Sequence, residues 1–100
     1  MNMNYLHYEF SAGSTDIVEV TLDRAANVLL LDSGNYSNYR NRHGYKYYGG
    51  YATVSPYRII PPHYGSWHLV VDLGGGAGTV RAAVQIIPKV QQGSNDPAIR

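Results

Sequence analysis

The sequence predicts an all-β chain: a single-domain, two-sheet β-sandwich of jelly-roll type with seven to eight short, mainly antiparallel strands. Three observations lead there. Apolar residues recur with a period of two along most segments, the signature of strands with one buried face. Clusters of turn-forming residues (SAGST, DRAA, DSGN, GGGAG) break those runs about every ten residues. No segment carries a convincing helical stripe. One hundred residues are enough to bury one core without disulfides or metal staples.

Each strand can be argued in chain order. In YLHYEF, Leu6, Tyr8 and Phe10 share one face, and Tyr5, His7 and Glu9 the other. In DIVEVTL, Val18, Val20 and Leu22 point one way, with Ile17, Glu19 and Thr21 opposite. NVLLLD is apolar on both faces, as expected of a strand inside a packed structure, and its closing Asp32-Ser33-Gly34-Asn35 is turn chemistry. YATVSPYRII reads as two short strands hinged at Ser55-Pro56, because proline cannot donate to a central ladder. In SWHLVVDL, Trp67, Leu69, Val71 and Leu73 point inward and His68 and Asp72 outward. After a glycine-rich hairpin turn, TVRAAVQII returns with Val80, Ala82, Val84 and Ile86 on one side. The sandwich thus occupies residues 1–88, and residues 89–100 form a polar, flexible tail.

Composition narrows the chemistry. Without cysteine there is no disulfide, thiolate metal site or cysteine nucleophile. The start, MNMNYLHYEF, lacks the basic and long apolar regions of a signal peptide, and the longest apolar run, ANVLLL, is far short of a membrane span. These features predict a cytoplasmic protein with no membrane partner. The glycines of LGGGAGTV do not fit a dinucleotide fold, since Thr79 stands where a third glycine belongs. A strand, not a helix, follows them, so no row of helix amides awaits a phosphate.

The histidines offer little by themselves. His68 and Asp72, at i and i+4 of one strand, lie about 13 Å apart, too far to share a metal ion. His63 and His68 together make an incomplete metal set. His7 and Glu9 are neighbours on an outward face, where a carboxylate could steer a general base, yet nothing near them in sequence offers a nucleophile. No catalytic residue, metal or cofactor is therefore assigned, and the expectation is a protein that is not an enzyme.

One stretch departs from the rest. NYSNYRNRHGYKYYGGY, residues 35–51, holds six of the ten tyrosines, three of the eight Lys/Arg and none of the seven Asp/Glu. The remainder is left with five basic against seven acidic residues, so positive charge is concentrated here and can attract anions locally. Tyrosine rings interleaved with cations suit protein contacts, sugar stacking and single-stranded nucleic acid alike. The competing reading is structural, with Tyr45, Tyr47 and Tyr51 lining one buried strand face. RHGYKYYGG does not match the RNA-recognition signature, which wants a small residue where Lys46 stands.

Several stretches together carry a family resemblance: Asn27-Val28 with its apolar run, Tyr48-Gly49-Gly50, Ser55-Pro56, and Trp67 through Gly75. Over roughly residues 5–87 the chain resembles a small bacterial all-β family of unknown function. Its members occur alone or joined to a Toll/interleukin-receptor-type signalling domain. The resemblance implies no activity or ligand. It implies recognition by association, a free-standing form for this chain, and a structural turn at Tyr48-Gly49-Gly50.

The expected function is recognition of a protein partner, or of a small anionic or sugar-bearing ligand. Tyr36, Tyr39 and Tyr45 would supply rings, and Arg40, Arg42, His43 and Lys46 orientation. The same surface would serve a homodimer, since exposed tyrosines and strand edges invite self-association. The rivals are single-stranded nucleic-acid binding by the same residues and a small hydrolase using His7/Glu9 or His63/His68.

Overall fold

The computed structural model describes residues 5–74, 76 and 78–89. Seven strands and one helix follow in the order β1 (Tyr5–Ala12), β2 (Asp16–Leu22), β3 (Ala26–Asp32), α1 (Ser33–Arg40), β4 (Tyr48–Ala52), β5 (Tyr57–Ile59), β6 (Gly65–Asp72) and β7 (Ala82–Pro88). They form an antiparallel sandwich: a four-stranded sheet in the order β1-β6-β3-β4 and a three-stranded sheet in the order β5-β2-β7. The chain changes sheet at every connection except that between β3 and β4.

The main core lies between the sheets. Val18, Val20 and Leu22 from β2 meet Ala26, Val28 and Leu30 from β3 and Trp67, Leu69 and Val71 from β6. Leu6, Tyr8 and Phe10 close one side, and Ala82, Val84 and Ile86 another, on the faces their alternation assigns. The Trp67 indole donates to the carbonyls of Ala12 and His63, at 3.1 and 3.3 Å, so its polar edge is satisfied inside the apolar layer. Tyr8 likewise donates to the Ala82 carbonyl, tying β1 to β7.

The sandwich has a third layer that the turn residues conceal. Asp32 caps a helix instead of opening a loop: its Oδ1 accepts from the Asn35 backbone N–H at 2.8 Å. The helix ends in a Schellman motif, with the Arg42 N–H on the Tyr39 carbonyl and the His43 N–H on the Asn38 carbonyl. It covers the outer face of the four-stranded sheet, where Tyr39 packs with Leu29, Leu31 and Val70. This explains why β3 is apolar on both faces, since each has its own core.

Four expectations therefore change. Helix α1 occupies part of a stretch expected to be turn and loop. Tyr48-Gly49-Gly50 opens strand β4 instead of making a turn, with Gly49 at φ +122° beside the Val28 carbonyl. The glycine-rich segment after Leu73 is no hairpin, because β6 and β7 lie in different sheets; its Gly75 and Ala77 are outside the described residues. Finally, the polar face of β6 is covered, not solvated, and His68 is only 7% exposed. Of the expected tail, Lys89 is held by its N–H on the Thr15 carbonyl at 2.7 Å, and residues 90–100 lie outside the described residues.

Candidate functional site

Residues 40–49 are exposed without interruption as the chain leaves α1 and approaches β4. The sequence explains the path. Asn41 ends the helix, Arg42 takes a left-handed backbone (φ +62°) to reverse the chain, and Asn35 Oδ1 accepts the Lys46 N–H at 2.8 Å to pin the return. Glycine is the usual residue at the reversal, because a side chain there costs about 1–2 kcal/mol. This chain keeps an arginine.

The tyrosines of the segment divide between support and surface. Tyr39 is 3% exposed, and its hydroxyl donates to Asp72 Oδ2 at 2.6 Å. Burial and the Asp72 carboxylate drive its phenol far above the ordinary tyrosine value, so it stays protonated as a donor. Tyr45 packs edge-on against Tyr39, with centroids 5.3 Å apart, and Tyr47 tilts against Tyr45 at 5.9 Å. A ladder of rings thus climbs from the interior to the surface, where Tyr45, Tyr47 and Tyr51 are 38%, 46% and 67% exposed. Tyr48 lies edge-on to Trp67. Arg40, Arg42, His43 and Lys46 are all exposed in the same run.

Tyr36 belongs to a second group. Its ring stacks on His7 and on His68, with centroids 4.2 and 4.5 Å away and planes within 10° and 7° of parallel. Arg40 lies over the same ring, its Cζ 5.8 Å from the centroid. Burial and the hydrogen bond to Tyr5 push the Tyr36 phenol up to about 12. The structure thus brings Tyr45, Arg40, Arg42, His43 and Lys46 to one exposed run. Tyr39 is placed beneath it and Tyr36 beside it.

Beneath Tyr36 the two imidazoles are bonded directly, His7 Nε2 to His68 Nδ1 at 2.8 Å, and the Ser33 hydroxyl reaches His68 Nε2 at 3.1 Å. Antiparallel pairing of β1 with β6 sets this up. His7 faces Val70 and Glu9 faces His68, so the histidines are diagonal neighbours on one face. Burial, then His68, hold the His7 imidazole below its ordinary value; Glu9 pulls the other way, and Arg40 adds a smaller depression. The sequence treats His7 and His68 separately because they lie far apart in the chain, and it leaves Ser33 in a turn. The available signal is that both histidines sit opposite the apolar faces of their strands, which become neighbours once the pairing is known. His63 is elsewhere, packed against the Trp67 ring. Among the described residues no three His, Asp or Glu side chains converge to hold a metal ion, and no helix is long and apolar enough to cross a membrane.

No curated protein and no solved structure matches the chain. The family model for a domain of unknown function, DUF1883, matches residues 3–90 and so takes in both sheets, the helix and the exposed run. With nearly the whole sequence inside that match, the chain belongs to the DUF1883 family.

Proposed function

We propose that the domain is a recognition module that grips its ligand with the exposed run from Arg40 to Tyr51. The carrying observation is a surface of rings and cations, with Tyr45, Tyr47 and Tyr51 open to solvent among residues that include no acid. The ligand is a protein partner or a small anionic or sugar-bearing molecule. The cations orient it, and the rings supply contact area at a small entropic cost. A homodimer through this surface is a form of the same reading. We place the protein in the bacterial cytoplasm, consistent with its lack of cysteine, and regard family members joined to signalling domains as receptors of the same kind.

Two variants test this. Arg42→Gly removes the guanidinium from the run at a position whose left-handed backbone suits glycine, and should weaken capture of a partner by the immobilised protein while the domain stays folded. The triple change of Arg40, Arg42 and Lys46 to glutamate should fold and lose that partner. A triple variant that melts, or one that still retains the partner, refutes the reading. Labelled single-stranded oligonucleotides, followed by anisotropy at two salt concentrations, test the rival ligand. Phosphate binding would appear as weakening that follows the number of cations engaged.

A further inference from the structure

We propose that Ser33, His68 and His7 form a nucleophilic centre that hydrolyses small activated carboxylic esters or thioesters. The proposal is independent of the recognition surface and departs from the expectation that the domain does no chemistry. It rests on an unbroken hydrogen-bond chain in the order nucleophile, base, orienting group: Ser33 Oγ to His68 Nε2 at 3.1 Å, then His68 Nδ1 to His7 Nε2 at 2.8 Å. Those distances are the reach that proton transfer from a hydroxyl requires.

Each member is placed for its part. Ser33 is the first residue of α1 and is exposed, so a substrate can approach its hydroxyl. His68 is buried between β1 and β3 with both ring nitrogens engaged, which fixes its orientation. For its Nε2 to accept from Ser33, its Nδ1 must carry the proton and donate to His7. His7 then accepts at Nε2 and acts as a positioning residue. The stacked Tyr36 ring restrains both imidazoles. Glu9 lies directly opposite His68 across the strand pair.

The reaction balances without a cofactor. Ser33 Oγ bonds to the acyl carbon as its proton passes to His68 Nε2. The bond from that carbon to the leaving oxygen or sulfur breaks, and His68 returns the proton to the leaving group. Water, losing a proton to the same nitrogen, attacks the acyl-serine, and the carboxylic acid departs as Ser33 regains its hydrogen.

The test uses the full chain with p-nitrophenyl acetate as substrate and a fluorophosphonate as covalent label. We expect p-nitrophenolate release above the buffer rate, with at least ~100-fold of that excess lost in Ser33→Ala. The label should map to Ser33 by mass spectrometry. Ser33 is exposed, so the alanine variant should melt like the parent and its loss would not reflect unfolding. His7→Phe keeps a ring in the stack and removes the acceptor. It should lower the plateau of the rate–pH profile and move its acid limb to lower pH, in a setting where Glu9, Tyr5, Tyr36 and Arg40 are unchanged. Equal turnover by Ser33→Ala, absence of label on Ser33, or an unmoved acid limb in His7→Phe would each overturn the proposal.

Discussion

At the scale of single residues, Asp72 does the most with one side chain. Its carboxylate accepts from the Tyr39 hydroxyl at 2.6 Å, the Asn27 amide at 2.9 Å and the Gly74 N–H at 2.9 Å. It therefore fastens α1, β3 and the chain leaving β6 to one point. A hydrogen bond to a charged group contributes about 1.5–3 kcal/mol, so Tyr39→Phe should destabilise the domain by that order in urea unfolding. The loss should also loosen Tyr45, which leans on the Tyr39 ring. If Tyr39→Phe unfolds at the parent's urea midpoint, the phenol is not holding the layer. Asp72 also shows what alternation can and cannot reveal. Its place on the face opposite Trp67 is legible from period two alone. That this face is covered depends on a helix arriving from elsewhere.

At the scale of elements, the clearest contrast is between β2 and α1. Strand β2 could be read directly, because Val18, Val20 and Leu22 alternate with more exposed residues and β-branched side chains suit a pleated surface. Helix α1 could not. SGNYSNYR is made of residues that favour turns over helix interiors, with a single buried ring. Its stability comes from the Asp32 cap, the Schellman ending, Arg40 in the last turn against the dipole, and above all the packing of Tyr39. Strand β4 departs from the turn that the resemblance implies at Tyr48-Gly49-Gly50. Here Gly49 is needed because at φ +122° an added Cβ would run into the Val28 carbonyl. Gly49→Ala should therefore cost at least about 2 kcal/mol in thermal or urea unfolding and disturb the exposed run just before it. An alanine variant as stable as the parent would show that the strand can relax around the side chain.

At the scale of the whole molecule, three layers place a titratable pair between helix and sheet. The His7 imidazole is held below its ordinary value in the folded protein, so the unfolded chain binds the proton more readily. Stability from this source is complete above about pH 6.5, the unfolded value, and is lost as pH falls through the lower folded value. The melting temperature should accordingly drop between pH 7 and pH 5, and His7→Phe should flatten that slope. A parent whose melting temperature does not change over that interval would show that His7 titrates alike in both states. The sandwich itself was legible because its inner faces are written locally, strand by strand. The run of rings and cations was legible for the same reason, but the cluster of Ser33, His68 and His7 was not, since these residues meet only through strand pairing between distant parts of the chain.

The order of strands in the larger sheet bears on how the protein is made. Strands β1 and β3 touch β6 but not each other within the sheet, and β6 ends at Asp72. During synthesis β1 must therefore wait, with that edge unpaired, until the roughly fifty residues that separate Ala12 from Gly65 have been added and β6 follows. A ribosome-bound intermediate of this length presents an open strand to its neighbours, and the domain's exposure to chaperones and to misassembly is concentrated in that interval.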